Sequence, residues 1–323
     1  GHAPISGLID PAKGSVNSIA EALTNIVWAP LEDGLKSVSL SANWMWPCNN
    51  PGEDARLYSA VESCADFAIA LGINIPTGKD SLSMKQKYPD GDVIAPGTVI
   101  ISAAGQCSDI KSVVTPVAKA GEGSLYYLDL SQDEFHLGGS SFAQNLNSIG
   151  TKTPTVIDPS YFKTAFDTLQ NLIKQGEIYA GHDIGSGGLI TSLLEMCFPS
   201  LDIGMKLDFS SFNEKDLVKV LFSEKAAVIL QSKKDLSELF SREGIKVIEL
   251  GEINSTPILK INDLELDVNQ MRMSWMATSK ALEKHQTAPH LAEIRAENSV
   301  KQPLKFEFPK GFKGFIPSAK TNK

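Results

Sequence analysis

Apolar residues recur every three or four positions in several stretches of the chain, and they alternate or run continuously in others. The first spacing predicts amphipathic helices and the second predicts strands. In the helix predicted at 15–28, the apolar positions are Val16, Ile19, Ala20, Leu23 and Val27. The other elements predicted in the first third of the chain are a strand at 37–46, a helix from Pro51 to Leu71, a short strand at 73–76 that leads into a turn at 78–81, and a strand at 99–104.

A stretch at 115–123 contains one proline and two glycines and has no periodicity, so it is typical of a boundary between domains. Beyond it the pattern again mixes both periods. Strands are predicted at 124–130, 178–182, 203–209, 226–231 and 246–251, with a pair over 256–268, and helices at 141–149, 159–174, 187–197, 213–222, 234–243 and 270–285. After residue 285 the pattern dissolves, and we interpret the rest as a linker or a tail.

Both parts of the chain mix helices with adjacent strands, which favours the α+β class with two mixed α/β subdomains. A length of 323 residues also suits two domains. We therefore predict subdomains at 1–116 and 117–285, followed by a linker at 286–323.

Composition restricts the function classes. Hydrophobic residues make up 42% of the chain and charged residues 21%, which is typical of a globular protein, and we expect neither a membrane span nor a secretory signal. The formal net charge of −8 and the lack of basic clusters argue against nucleic acid as a partner. The four cysteines form no CxxC pair, so zinc and disulfide frameworks are disfavoured and a cytoplasmic location is expected.

The first candidate for chemistry is the pair Glu21 and Asn25, which lie four residues apart in the predicted helix 15–28. This spacing puts a carboxylate and an amide oxygen on nearly one face, where both can ligate Mg²⁺. The alternative is a polar stripe on a helix that faces solvent.

A second candidate is the tetrad Gly78-Lys79-Asp80-Ser81, which follows a predicted strand. Lys79 suits a phosphate as a point charge, while Asp80 and Ser81 suit a metal or a hydroxyl group. The alternative is an ordinary surface turn, where glycine, aspartate and serine are common.

The third candidate is His182-Asp183, followed by the glycine-rich run 185–188. The run begins a predicted helix whose first N–H groups are free to bind an anion. Asp183, just before it, is well placed to ligate a metal. The alternatives are a loop that only caps the helix and a packed histidine. The pair Gly138-Gly139 is a weaker candidate for an anion loop. Neither a P-loop nor a G-x-G-x-x-G fingerprint accompanies these motifs.

The joint, ordered occurrence of these motifs, with 41–45 and 51–54 between them, resembles the phosphoribosylformylglycinamidine synthase family in its large single-chain form. More broadly the chain is similar to the superfamily of aminoimidazole ribonucleotide synthetase. The resemblance runs from about residue 1 to 285. It implies an N-terminal, barrel-forming, ATP-binding subdomain whose first strand is missing, a C-terminal three-layer subdomain, and a linker toward a glutaminase.

By this resemblance the chain is the second synthetase half of an ATP-dependent, carbon–nitrogen bond-forming ligase of purine biosynthesis. The whole enzyme would convert formylglycinamide ribonucleotide, ATP and glutamine to formylglycinamidine ribonucleotide, ADP, phosphate and glutamate. The implied Mg²⁺ ligands are Glu21, Asn25 and Asp183, beside a nucleotide that is either catalytic or structural; we favour the structural role. Gly185 stands where the family has a nucleotide-contacting serine. Lys79, Asp80 and Ser81 are assigned a role in contacting phosphate or substrate. No catalytic residue is assigned.

The implied cofactors are Mg²⁺ and ATP or ADP, and the implied partners are the first synthetase half, the glutaminase and a phosphoribosyl nucleotide substrate. An isolated half is expected to be inactive and to seek a pairing partner, so a homodimer is one expectation. Two alternatives stay open: another ATP-dependent member of the superfamily, of the kinase or selenophosphate synthetase type, or a nucleotide-stabilised structural module.

Overall fold

The structure is a computed structural model that describes residues 1–299 together with 310 and 311. The first part of the chain builds two helical layers against a small sheet. Its elements are α1 (Pro4–Ile9), α2 (Pro11–Ile26), β1 (Val38–Met45), α3 (Glu53–Leu71), β2 (Asn74–Ser81), β3 (Lys85–Tyr88), β4 (Gly91–Ile94) and β5 (Thr98–Gly105). α2 begins at Pro11 because the carboxylate of Asp10 accepts hydrogen bonds from the N–H groups of Ala12 and Lys13.

The second part carries a larger sheet with helices around it. Its elements are β6 (Ser124–Asp129), α4 (Ser141–Asn145), α5 (Pro159–Lys174), β7 (Ala180–Asp183), α6 (Gly188–Cys197), β8 (Gly204–Leu207), α7 (Leu217–Phe222), β9 (Ala227–Ser232), α8 (Leu236–Ser241), β10 (Val247–Asn254), β11 (Ile258–Ile261) and β12 (Leu264–Asp267). The helices α9 (Val268–Gln286) and α10 (Pro289–Asn298) follow.

Sheet topology confirms the α+β class. In the larger sheet the seven strands run β12-β11-β8-β10-β6-β9-β7, mostly antiparallel, so β7 lies at one edge. In the smaller sheet the order is β2-β1-β5, with β1 parallel to β2 and antiparallel to β5. The predicted barrel involves a partner half and stays a prediction.

One apolar core joins the two parts. It includes Leu23 of α2, Leu40 of β1, Phe166 of α5 and Leu230 of β9, all of them nearly inaccessible to solvent. A second core, on the other face of the larger sheet, packs α6 against β8 and β9 and includes Leu193. Gly1–Arg272 form one compact unit.

Of the described residues, those from 273 to 299 belong to a second unit. In this unit the ion pairs Lys284–Glu293 (3.1 Å) and Arg295–Glu283 (2.7 Å) join α9 to α10. The helix α10 lies in the stretch predicted as a linker or a tail and was not predicted. The remaining tail, 300–309 and 312–323, lies outside the described residues. None of the helices in the described part of the chain is long and apolar enough to span a bilayer.

The prediction of a turn at 78–81 was wrong, because these residues continue β2 and pair with β1. Gly78 lies opposite Ala42, and a Cβ atom added at Gly78 would stand 1.9 Å from the Ala42 carbonyl oxygen. The glycine is therefore required by the close approach of two backbones and not by a turn. The hairpin β3–β4 was not predicted, because its residues are exposed and carry no apolar alternation.

Candidate functional site

The structure brings together two of the three side chains that the resemblance implied as metal ligands, Asn25 and Asp183, and the third, Glu21, lies one helical turn before Asn25. Glu21 and Asn25 project from α2, and Asp183 ends β7. The amide Nδ2 of Asn25 lies 3.4 Å from Asp183 Oδ2 and donates a 2.9 Å hydrogen bond to the backbone oxygen of Glu21. Residues 158 positions apart in sequence thus meet at one end of α2.

A glycine in β7 explains how this meeting is possible. Gly181 lies against Trp28, just beyond the end of α2, and a Cβ atom at Gly181 would stand 2.1 Å from the indole ring. Only a residue without a side chain lets the edge strand approach α2 so closely. The approach sets Asp183, two residues further along β7, beside Asn25.

The donor types at this point fit a hard divalent cation. Two carboxylates and one amide are oxygen ligands of the kind that Mg²⁺ binds, usually together with water and phosphate oxygens. Among the described residues no group of three or more His, Cys, Asp or Glu side chains forms a metal cluster, so the amide of Asn25 is needed to complete this set. A half-turn of that amide replaces its Nδ2 by Oδ1 on the side of Asp183. Glu21 Oε2 accepts a 2.9 Å hydrogen bond from the His2 N–H.

A cavity of about 420 Å³ opens beside Glu21. Its walls come from α1, α2, the segment 138–141 and the turn after β7. The side chains that line it include apolar ones from Ile5, Ala20, Pro154, Ile184 and Ala226, polar ones from Asn17, Thr24 and Gln144, and the carboxylates of Glu21 and Glu224. Lysine and arginine are absent from the described residues that line it. An anion in this cavity therefore needs backbone donors or a bound cation.

The turn after β7 offers such backbone donors. Gly187 and Gly188 have φ values of +91° and +73°, which glycine adopts without strain, and they lead into α6. Within the described residues the N–H groups of Gly185 and Ser186, which line the cavity, donate no hydrogen bond. Two successive unpaired N–H groups at a helix start form an anion-binding element. A Cβ atom at Gly185 would meet nothing within 4 Å, so this position is open.

The expectation that the whole glycine-rich run is free to bind an anion was wrong at two positions. The Gly187 N–H donates a 2.7 Å hydrogen bond to Glu224 Oε1, and the Gly188 N–H donates to the Gly185 carbonyl at 3.0 Å. Glu224 Oε1 also accepts from the Ser141 N–H at 2.7 Å. The sequence offered no pattern that singles out Glu224, because its role depends on two segments that are distant along the chain.

His182 lies next to this site and is a packed, hydrogen-bonded residue. Its Nδ1 is 2.7 Å from the Asp183 carbonyl oxygen, and its Nε2 is 3.4 Å from Glu195 Oε2. Burial lowers the pKa of His182, but the hydrogen bonds to Glu195 and Asp183 and their negative charges outweigh burial, so the pKa is raised above its usual value.

The structure does not bring Lys79, Asp80 and Ser81 to the same cavity. They lie on β2, where Lys79 and Asp80 line a separate, more open groove of about 410 Å³ between α3 and the smaller sheet. The walls of this groove are mostly apolar and include Trp44 and Leu57. A role for the tetrad on the phosphate or substrate side stays a prediction.

Comparison with known proteins gives matches along most of the chain. A family model described as the FGAR-AT PurM_N-like domain matches residues 1–106, and the model of the AIR synthase related protein, C-terminal domain, matches residues 123–263. The chain is 37% identical to a probable phosphoribosylformylglycinamidine synthase, chloroplastic/mitochondrial, of Arabidopsis thaliana over 337 residues, with 100% of this chain and 23% of the relative covered. It is 36% identical to the human phosphoribosylformylglycinamidine synthase over 303 residues, with 90% of this chain and 22% of the relative covered.

Solved structures show a similar fold. Thermotoga maritima PurL complexed with FGAR superimposes with a TM-score of 0.63 at 13% identity, over 84% of this chain and 44% of that one. The same protein complexed with ATP superimposes with a TM-score of 0.58 at 12% identity, over 84% and 43%. The chain spans about a quarter of the length of the curated relatives described above.

Proposed function

Because this chain belongs to the AIR synthase related family, with an FGAR-AT PurM_N-like domain followed by the family's C-terminal domain, we propose that it is one synthetase half of a phosphoribosylformylglycinamidine synthase. The extensive identity to curated synthases at about a third of all positions supports this assignment. The resemblance stated from the motifs is confirmed at the level of the family. We also propose that this chain takes part in the activity of the whole enzyme.

The contribution that we propose for this half is a nucleotide site that depends on Mg²⁺. The single observation that carries this is the meeting of Asn25 with Asp183, one helical turn from Glu21, which itself lines a cavity that also presents the N–H groups of Gly185 and Ser186. The oxygen ligands suit the cation, and the backbone donors suit a phosphate group. The PurL structures complexed with FGAR and with ATP support a nucleotide ligand for this fold.

The charges of the cavity explain why a cation is needed. Its described lining residues contribute two carboxylates, Glu21 and Glu224, and no lysine or arginine. A di- or triphosphate brings several negative charges, so without a cation the ligand and the walls repel each other. A bound Mg²⁺ supplies the missing positive charge, and Glu21, Asn25 and Asp183 would hold it. The other residues position the nucleotide: the turn at 185–186 binds a phosphate oxygen, and the apolar walls exclude water.

We propose that the nucleotide in this half is a structural element and not the one consumed. Among the described lining residues we find no lysine and no arginine to stabilise a transferring phosphoryl group. The nucleotide then stabilises the junction between α2 and β7, where its ligands reside. Turnover of formylglycinamide ribonucleotide with ATP and glutamine belongs to the assembled enzyme, which needs the other synthetase half and a glutaminase. The tetrad at 78–81 is proposed to face phosphate or substrate in a separate groove.

The proposed boundary at 116 fits this assignment, and we propose the second boundary at 285, next to the end of α9 at Gln286. The two family-model matches, at 1–106 and 123–263, fall on either side of the first boundary. A homodimer of the isolated half, formed through its smaller sheet, stays part of the proposal. A cytoplasmic location is likewise proposed and follows from the separated cysteines.

Titration of the 323-residue chain with ADP, in the presence of Mg²⁺ and in EDTA, tests the site by calorimetry and by thermal melting. We expect Mg-ADP to bind and to raise the melting temperature, and EDTA to abolish most of this stabilisation. Glu21→Gln and Asp183→Asn should each weaken Mg-ADP binding about tenfold or more, because a charged ligand of the cation is lost. Glu62→Gln, at an exposed position of α3, is the matched control. Absence of any stabilisation of the wild-type chain by Mg-ADP would overturn the proposal.

A further inference from the structure

Three consecutive residues between α7 and β9 tie down the segment 129–141. Ser223 donates through Oγ to the His136 carbonyl oxygen at 2.9 Å. Lys225, which is 2% exposed, donates from Nζ to Asp129 Oδ2 at 2.8 Å and to the Asp133 carbonyl oxygen. Between them, Glu224 lines the cavity and also holds the segment at the Ser141 N–H.

The carboxylate of Glu224 takes the position that an anion would occupy. A single oxygen, Oε1, accepts from the Ser141 N–H of one glycine-containing segment and from the Gly187 N–H of the other, both at 2.7 Å. These are short, charge-assisted hydrogen bonds to backbone donors at the start of two helices. The flanking anchors at Ser223 and Lys225 fix the backbone from which Glu224 reaches the two donors.

This arrangement leaves a defined set of donors for a ligand. The Gly187 N–H is used by Glu224, while the N–H groups of Gly185 and Ser186 stay unpaired among the described residues. A ligand phosphate is thus directed to 185–186, on the side of the turn that follows Asp183. The negative charge of Glu224 remains in the wall and opposes any anion that arrives without a cation.

We propose that Glu224 has two roles in the cavity. It holds the segments 138–141 and 185–188 in the positions that bind the ligand, and it disfavours nucleotide that carries no metal. The inference rests on the proposed nucleotide site and assigns its specificity for the metal-bound form. Two properties of one side chain are involved, and substitution separates them. The acceptor oxygen positions the two segments, and the charge selects the ligand.

Glu224→Gln and Glu224→Ala form the informative pair. Glutamine keeps an oxygen that can accept both N–H groups and removes the charge, whereas alanine removes both. Glu134→Gln removes one charge from a side chain that is 85% exposed and serves as the control. The measurements are amide hydrogen exchange at Ser141 and Gly187 and calorimetric affinities for Mg-ADP and for ADP in EDTA, all on the 323-residue chain.

For Glu224→Ala we expect exchange at both amides to accelerate about tenfold or more and the affinity for Mg-ADP to fall about tenfold, since two charge-assisted hydrogen bonds are lost. For Glu224→Gln we expect exchange within about threefold of the wild type and an affinity for Mg-ADP within about threefold, because the acceptor oxygen is kept although its hydrogen bonds are no longer charge-assisted. We expect an affinity for metal-free ADP about tenfold higher, because the repulsion is removed. A purely structural role would leave the ratio of the two affinities unchanged in Glu224→Gln.

The outcomes separate this inference from the proposed function. If the wild-type chain binds Mg-ADP and Glu224→Gln leaves the ratio of the two affinities as in the wild type, selection by Glu224 is overturned while the site stands. If Glu224→Ala leaves both amides as protected as before, positioning by Glu224 is overturned. If the wild-type chain binds no nucleotide, the proposed function and this inference fall together. If Glu224→Ala does not fold, the ratio of the two affinities in Glu224→Gln, compared with that in Glu134→Gln, decides whether Glu224 selects the metal-bound ligand.

Discussion

Gln170 makes three hydrogen bonds that solvent cannot replace, and its substitution is a direct test of how the two parts of the chain are held together. The side chain projects from α5 and is 1% exposed. Its Oε1 accepts from the Leu31 N–H at 2.8 Å, and its Nε2 donates to the carbonyl oxygens of Val27 at 2.5 Å and of Ala29 at 3.0 Å. The connection between α2 and β1 is thereby joined to the second part of the chain.

The expected cost follows from the groups that are left without partners. Gln170→Met keeps most of the volume but leaves one N–H and two carbonyl groups without this partner in a buried place, each costing about 1–3 kcal/mol. Carbonyl groups can find second partners, so we expect a total near 3 kcal/mol, and about 1 kcal/mol more for Gln170→Ala because a cavity is added. At roughly 2.1 cal/mol/K per residue, the unfolding entropy of the chain makes 3 kcal/mol equal to a fall in melting temperature of about 4–5 °C.

Urea and thermal unfolding, followed by circular dichroism, measure this loss. Gln175→Ala is the matched control, because Gln175 is exposed and lies beyond the end of the same helix. It should change the free energy of unfolding by less than about 0.5 kcal/mol. The reasoning is refuted if Gln170→Met is as stable as the control, since the three hydrogen bonds would then contribute nothing net.

Two further predictions concern positions that the sequence drew attention to for other reasons. Gly78→Ala should destabilise the chain by about 3 kcal/mol or more, because its Cβ atom would overlap the Ala42 carbonyl oxygen and force β2 away from β1; a melting temperature equal to that of the wild type would contradict this. Burial raises the pKa of Cys64 to about 11 and that of Cys197 to about 12, so at pH 8 these thiols should resist Ellman's reagent until urea is added. Cys107 should react in the native state, and Cys48 should react more slowly, because burial, Asp54 and Glu53 raise its pKa. Four fast thiols in the native chain would refute it.

Much of the fold was predictable because burial leaves a period in the sequence. α2 and α5 have their apolar residues on one face, since each packs that face against the shared core, and both helices were predicted near their observed bounds. The buried strand β9 was found for the same reason. The hairpin β3–β4 and the helix α10 are mostly exposed, so no period marks them, and both were missed.

The candidate site was predictable only in part. Local spacing places Glu21 beside Asn25 on a helix, but the meeting of Asn25 with Asp183 depends on the close packing of Gly181 against Trp28, which no local pattern shows. Family resemblance provided that link. Glu224 was not found by either route, because a glutamate before an apolar strand has no distinctive pattern.

The core shared by α2, β1, α5 and β9 has an evolutionary consequence. Separating the chain near residue 116 would uncover Leu23 and Leu40 on one piece and Phe166 and Leu230 on the other, so neither piece would remain monodisperse in water. Duplication or fusion of genes is therefore expected to keep both parts of this core together. Neither family-model match is therefore expected to fold well without the other.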